Sequence, residues 1–158
     1  MNQSPLTCKT RNNFTTVDLG TFEELSQYTF ATITNPLQLE GKIFLKELLN
    51  LTSAEISLNN LPPKKSYPFY HKHRLNEEIY IFVRGQGEFQ VDDCVFSVKE
   101  GTAVKVDPEG ERCLRNVSDS KPLCWIVIQS RTKSYIGDTI EDGFGVDKRV
   151  SWVGKEKL

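Results

Sequence analysis

From Gly41 to Gln129 the chain runs as short apolar or alternating stretches, each closed by turn formers. The breaks are Pro62-Pro63, Gly85-Gln86-Gly87, Asp92-Asp93, Glu100-Gly101, Pro108-Glu109-Gly110 and the polar stretch that ends at Pro122. They recur about every ten positions, the pattern of an antiparallel sandwich or barrel. Strands are expected over residues 42–49, 54–61, 67–73, 78–84, 88–91, 94–98, 103–106, 112–116 and 123–129. Asp92-Asp93, between FQV and CVF, reads as a two-residue hairpin turn, because Asp tolerates the positive φ such turns need. In the run EIYIFVR, Glu78, Tyr80 and Phe82 share one face, and Ile79, Ile81 and Val83 share the other. Both faces are apolar, whereas an antiparallel sheet commonly keeps one face wet. Something must cover the second face, and a second copy of the chain is the preferred cover.

The flanks read differently. Residues 1 to about 20 are polar and aperiodic, a loosely docked extension. Residues 21–30 (TFEELSQYTF) suit one short helix, with Thr21 and Glu24 as a capping box and Asn35-Pro36 as the stop. After Arg131 the tail mixes Gly, Asp and aromatics, and Phe144 and Trp152 would anchor it to the barrel or to a partner subunit. The resulting division is an N-terminal extension over 1–40, a barrel over 41–130 and a C-terminal tail over 131–158. The fold class is all-β, with a short N-terminal helix or extension.

Composition narrows the function classes. Twenty basic residues against twenty-one acidic ones leave a net charge of −1 over 158 residues. Nucleic-acid and anionic-membrane binding both need a clustered positive field, so neither is expected. No apolar run reaches about 18 residues, and the N-terminal stretch lacks an apolar leader core, so a cytoplasmic protein is expected. Four cysteines (Cys8, Cys94, Cys113 and Cys124) are widely spaced with no C-x-x-C, which fits reduced thiols in that compartment.

The two histidines of the chain, His71 and His73, are separated by one residue. On an extended segment they project to the same face, so both imidazoles can reach one ion. Glu78 opens the next strand and can add a carboxylate oxygen, with Glu77 as a substitute ligand if the intervening turn is one residue shorter. Two imidazoles and one carboxylate leave positions open, the arrangement used for iron, manganese, nickel or catalytic zinc. No Ser/His/Asp triad can be built, because both histidines belong to this one segment.

These residues resemble the cupin superfamily, whose first motif is written G-x5-H-x-H-x3,4-E-x6-G. His71, His73, Glu78 and Gly85 match it in register, while Lys65 stands where the leading Gly is expected. The second motif, G-x5-P-x-G-x2-H-x3-N, is echoed by Gly101, Pro108, Gly110 and Asn116, with Pro108 one place late and no histidine following. The resemblance covers roughly residues 41–130. It implies a double-stranded β-helix, a small jelly-roll barrel. It also implies a divalent metal held by two His, one Glu and a later His, in a superfamily of dioxygenases, isomerases, epimerases, decarboxylases and sugar-binding modules.

The missing histidine falls on Arg112 when counted from Gly101 or Asn116, and on Cys113 when counted from Pro108. Were Cys113 to face inward, Arg115 would follow it into an apolar lumen unpaired, at high cost. Arg112 is therefore favoured, with Glu78 as its partner. Arginine stays protonated and cannot ligate a metal. The first functional expectation is a metal on His71, His73 and Glu78, with Arg112 contacting an anionic group of a small ligand and with Tyr80, Phe82 and Phe69 lining the pocket. The alternative is a metal-free binding module or sensor built on a Glu78–Arg112 pair. A third is a structural dimer whose lumen is filled by side chains. An inward Cys113 would instead complete a four-ligand site for zinc or iron.

Overall fold

The alternating pattern builds strands over most of the region it marked, and tertiary context reshapes the stretches around the histidines. The computed structural model describes residues 6–31, 38–137 and 142–156. In chain order the strands are β1 (Cys8–Arg11), β2 (Phe14–Val17), β3 (Thr29–Phe30), β4 (Leu39–Glu40), β5 (Lys42–Phe44) and β6 (Ala54–Leu61). They continue as β7 (Asn76–Arg84), β8 (Gln86–Val91), β9 (Cys94–Lys99), β10 (Ala103–Val106), β11 (Arg112–Asn116) and β12 (Leu123–Arg131). Strands β10-β7-β12-β6-β5 form a five-stranded sheet, and β11-β8-β9 a three-stranded one. Every pairing is antiparallel. The inner faces bury Tyr80, Phe82, Phe89, Val98, Leu114, Leu123, Trp125 and Val127 in one cluster. This is the double-stranded β-helix expected from the sequence.

Gly85 and Gly87 each sit where the backbone of a neighbouring strand or loop leaves no room for a side chain. Gly85 has φ +82°, and a Cβ there would stand 2.2 Å from the Pro122 carbonyl oxygen, so no other residue fits. Gly87 is a buried strand residue of β8 rather than part of the turn; a Cβ would lie 2.5 Å from the Arg115 carbonyl oxygen. The β8–β9 hairpin turns on Asp92 at φ 50°, with Val91 opposite Cys94.

Several expected elements differ. The strand expected over 42–49 ends at Phe44, and Lys46–Leu49 forms a single turn of helix, α1. The Glu55 carboxylate accepts the Lys46 N–H at 3.0 Å, and Asn50 in the left-handed region ends the turn. Residues 67–73 form no strand. Pro68 lacks a donor, and the segment runs beside β11 through two isolated bridges, Ser66 with Arg115 and His71 with Arg112. The helix expected over 21–30 shrinks to a 3₁₀ turn, Glu24–Gln27, before β3 begins. Its capping pair does form: Thr21 N–H donates to Glu24 Oε2 at 2.6 Å, and Glu24 N–H to Thr21 Oγ1 at 3.4 Å. The Asn35-Pro36 stop lies outside the described residues. The N-terminal extension contains the β1–β2 hairpin. Phe144 and Trp152, expected as anchors, are each 88% exposed, and among the described residues neither joins the core.

On the outer face of the large sheet, Ile126 stands opposite Ile81 and Ile128 opposite Ile79. All four are only partly buried. Towards β5 and β6 the N-terminal segment packs closer, with Leu25 fully buried and Leu45 nearly so. No helix of the described residues is long and apolar enough to cross a membrane.

Candidate metal centre and lumen

The site lies between the two sheets. Glu78 and Tyr80 alternate onto the inner face of β7, His71 and His73 come from the irregular segment beside β11, and Arg112 opens β11. His71 N–H and Arg112 N–H each donate to the other's carbonyl oxygen, at 3.3 and 3.1 Å. His73 N–H donates to the Pro108 carbonyl oxygen at 3.0 Å. The second motif's proline thus helps hold the first motif's second histidine.

Glu78 is nearly fully buried. Its Oε2 accepts from Arg112 Nη2 at 2.7 Å, Arg112 Nε at 3.0 Å and Tyr80 Oη at 2.5 Å. Arg112 has no exposed surface, and its Nη1 donates to the Gly110 carbonyl oxygen at 2.8 Å. Burial pushes the Glu78 carboxyl up, but the contacts from His71, Tyr80 and Arg112 and the Arg112 charge together outweigh it and hold the carboxyl well below the usual range. Burial and the Glu78 charge push the Tyr80 phenol up, so it stays a neutral donor.

The other carboxylate oxygen points elsewhere. Glu78 Oε1 lies 3.0 Å from His73 Nε2. His73 Nε2 is buried, yet it makes no hydrogen bond. A carboxylate oxygen and an imidazole nitrogen this close can both reach one ion. The separation suits two atoms each about 2.0–2.2 Å from one ion. His71 Nε2 lies 3.7 Å from Glu78 Oε2, beyond hydrogen-bond range, with its side chain 40% exposed. One ligand atom from each of His71, His73 and Glu78 lies within 4.8 Å of the others, so these three side chains form a group that could hold a metal. Burial, reinforced by the Arg112 and His71 charges, lowers the His73 pKa, against the pull of Glu78. A lowered pKa favours the neutral imidazole that a metal needs.

The remaining candidates separate clearly. Glu77 alternates to the outer face, where Lys105 lies 3.9 Å away, and does not join the group. Cys113 donates from Sγ to the Tyr67 carbonyl oxygen at 3.2 Å and stands outside the His–His–Glu group. Phe69, Tyr80, Arg112 and Cys113 all line a cavity of about 190 Å³ together with the triad. Phe82 does not; it packs in the core, its ring 6.2 Å from that of Trp125. Asn116 is a structural bracket: its Nδ2 donates to the Leu61 and Lys121 carbonyl oxygens, both at 2.9 Å. The same cavity holds Lys42 and Gln129, which the sequence reading missed. The available signal was polar residues on alternate positions of apolar strands, Ser57 and Asn59 in β6 and Lys42 paired beside them.

Comparison with known proteins agrees with this architecture. The Cupin domain family profile matches residues 57–129. A crystal structure of a cupin protein from Bacteroides fragilis is similar at 35% identity and a TM-score of 0.63, over 66% of this chain and 88% of that one. The chain belongs to the cupin superfamily. A structure described as a sugar phosphate isomerase from a cupin superfamily, from Silicibacter pomeroyi, shares the fold at 18% identity and a TM-score of 0.52, over 58% of this chain and 59% of that one. An uncharacterized protein of Methanocaldococcus jannaschii is 33% identical over 64 residues, which is 39% of this chain and 51% of that protein.

Proposed function

We propose that this protein is a metal-binding cupin that takes a small polar molecule with an anionic group into its lumen. The observation that carries the reading is the buried His73 Nε2, unbonded and 3.0 Å from Glu78 Oε1, with His71 completing the set. His71, His73 and Glu78 would hold the ion, of the iron, manganese, zinc or nickel kind. A bound ion with open positions would supply a Lewis acid facing the cavity. Arg112 would act behind the carboxylate, fixing Glu78 so that Oε1 is presented. It also neutralises Glu78 and repels a dication, so the affinity is expected to be modest for a two-His, one-Glu site.

Complete burial of Arg112 favours a second reading, in which the guanidinium replaces the metal and the protein is a binding module or sensor. Metal analysis of untagged protein after incubation with each ion separates the two. The metal reading expects near-stoichiometric uptake. It is overturned by less than about a tenth of an equivalent of every ion per chain.

The four unpaired thiols support a reducing, cytoplasmic setting. The isoleucine face of β7 and β12 supports a homodimer, which would bury Ile79, Ile81, Ile126 and Ile128. Light scattering on wild type and Ile81→Lys tests this: wild type should run at twice the chain mass and the variant at one.

A further inference from the structure

The charges that face the lumen do not cancel. Lys42, Glu78 and Arg112 are the charged side chains lining the cavity, beside His71 and His73. Glu78 is matched by Arg112, which leaves Lys42 over. Lys42 Nζ donates to Asn59 Oδ1 at 3.0 Å and to Ser57 Oγ at 3.4 Å, and it lies 4.9 Å from the centre of the Phe44 ring. All three partners are neutral, and no carboxylate is paired with Lys42 among the described residues. Asn59 is held for this role. It is fully buried, and its Nδ2 donates to Ser57 Oγ and to the Ser57 and Trp125 carbonyl oxygens, which turns Oδ1 towards Lys42. An ammonium has three N–H donors, and these contacts use two. Burial pulls the Lys42 pKa down to about 8, while the Glu78 and Glu55 charges pull it up. Glu55 accepts the N–H groups of Lys46 and Ile56 through Oε1 and makes no ion pair with Lys42.

Arg112 is the poorer candidate, because its charge is already matched by Glu78 and three of the five guanidinium N–H donors go to Glu78 and Gly110. We infer that Lys42, not Arg112, is the anion receptor of the lumen, and that the cavity takes a compact carboxylic acid with its carboxylate on Lys42 and a second oxygen at the His71–His73–Glu78 end. A single ammonium with one uncompensated charge suits a monoanionic carboxylate head better than a phosphate dianion, which favours several donors. A volume of about 190 Å³ lies below the roughly 300–1,000 Å³ of pockets for drug-sized ligands, so the ligand is small. The inference rests on the lumen being a ligand site, as proposed above, and assigns its polarity and ligand class.

The test uses malonate and its neutral counterpart malonamide, on the full chain both zinc-treated and metal-stripped. Calorimetry on wild type and Lys42→Met should show malonate affinity falling about tenfold or more in the variant, the loss expected for a charge-assisted hydrogen bond. Malonamide should bind weakly and equally to both, and the variant should keep the wild-type zinc content. In parallel, malonate should move the Lys42 side-chain resonances of lysine-labelled wild type and the His73 ring signals, which are simple to follow with two histidines in the chain. This arm does not depend on the variant folding. Equal malonate affinity in both proteins, or His73 signals that move while Lys42 signals do not, overturns the Lys42 assignment and leaves the lumen reading standing. If neither residue responds, the lumen reading fails and the assignment with it. Zinc uptake decides the metal proposal separately.

Discussion

The two ends of the lumen solve the problem of buried charge in opposite ways. At one end Glu78 and Arg112 are both sequestered and satisfy each other, with Tyr80 and the Gly110 carbonyl taking further hydrogen bonds. At the other end Lys42 has an amide, a hydroxyl and an aromatic ring for company. The first end is complete as a structural unit apart from the oxygen it presents to His73. The second is stable enough to exist but short of one negative charge. A buried pair is costly to break and cheap to leave alone, whereas a half-buried cation with only neutral partners is an opening for an anion.

The comparison breaks most sharply at Arg112. Arg112→Met leaves the Glu78 carboxylate buried without its cation, and urea unfolding should show a loss of about 3–5 kcal/mol. If guanidinium and metal are alternative neutralisers of Glu78, a divalent ion should return part of that stability in the variant. A variant as stable as wild type would mean that the two charges are not coupled as described.

Next in size is the pair of imidazoles. The double variant His71→Ala, His73→Ala should take up less than about a tenth of an equivalent of metal while unfolding within about 1 kcal/mol of wild type, because neither ring belongs to the apolar core. A collapse of the fold instead would make the histidines structural.

Lys42 sharpens the contrast through pH. Its pKa is lowered to about 8 in the folded chain, against about 10.4 when unfolded. Between these values the unfolded state binds more protons, so stability should rise with pH from about 8 to about 10. Below that window both states carry the proton and the contribution is constant. Lys42→Met should flatten the rise, measured as urea midpoints at a series of pH values. A variant with the same slope would place the titration elsewhere. The smallest change is expected for Cys113→Ser, within about 1 kcal/mol and with unaltered metal uptake, since its thiol contacts a backbone carbonyl rather than the triad.

Much of this was legible in the residues themselves. Period-two alternation with regular breaks marked the core strands β6 to β12, because a residue's face in a strand follows from position alone. The spacing of His71, His73, Glu78 and Gly85 marked the site, and counting back from Asn116 put Arg112 beside Glu78. Alternation could not show that residues 67–73 would leave the sheet, since the bridges to β11 come from a strand distant in sequence. Nor could it place Lys42 in the lumen or Phe82 outside it. Those outcomes depend on how β5 and β12 curl around the barrel and on which side chains fill the core first. Local chemistry dictates which way a side chain points; only closure of the two sheets decides what it meets there.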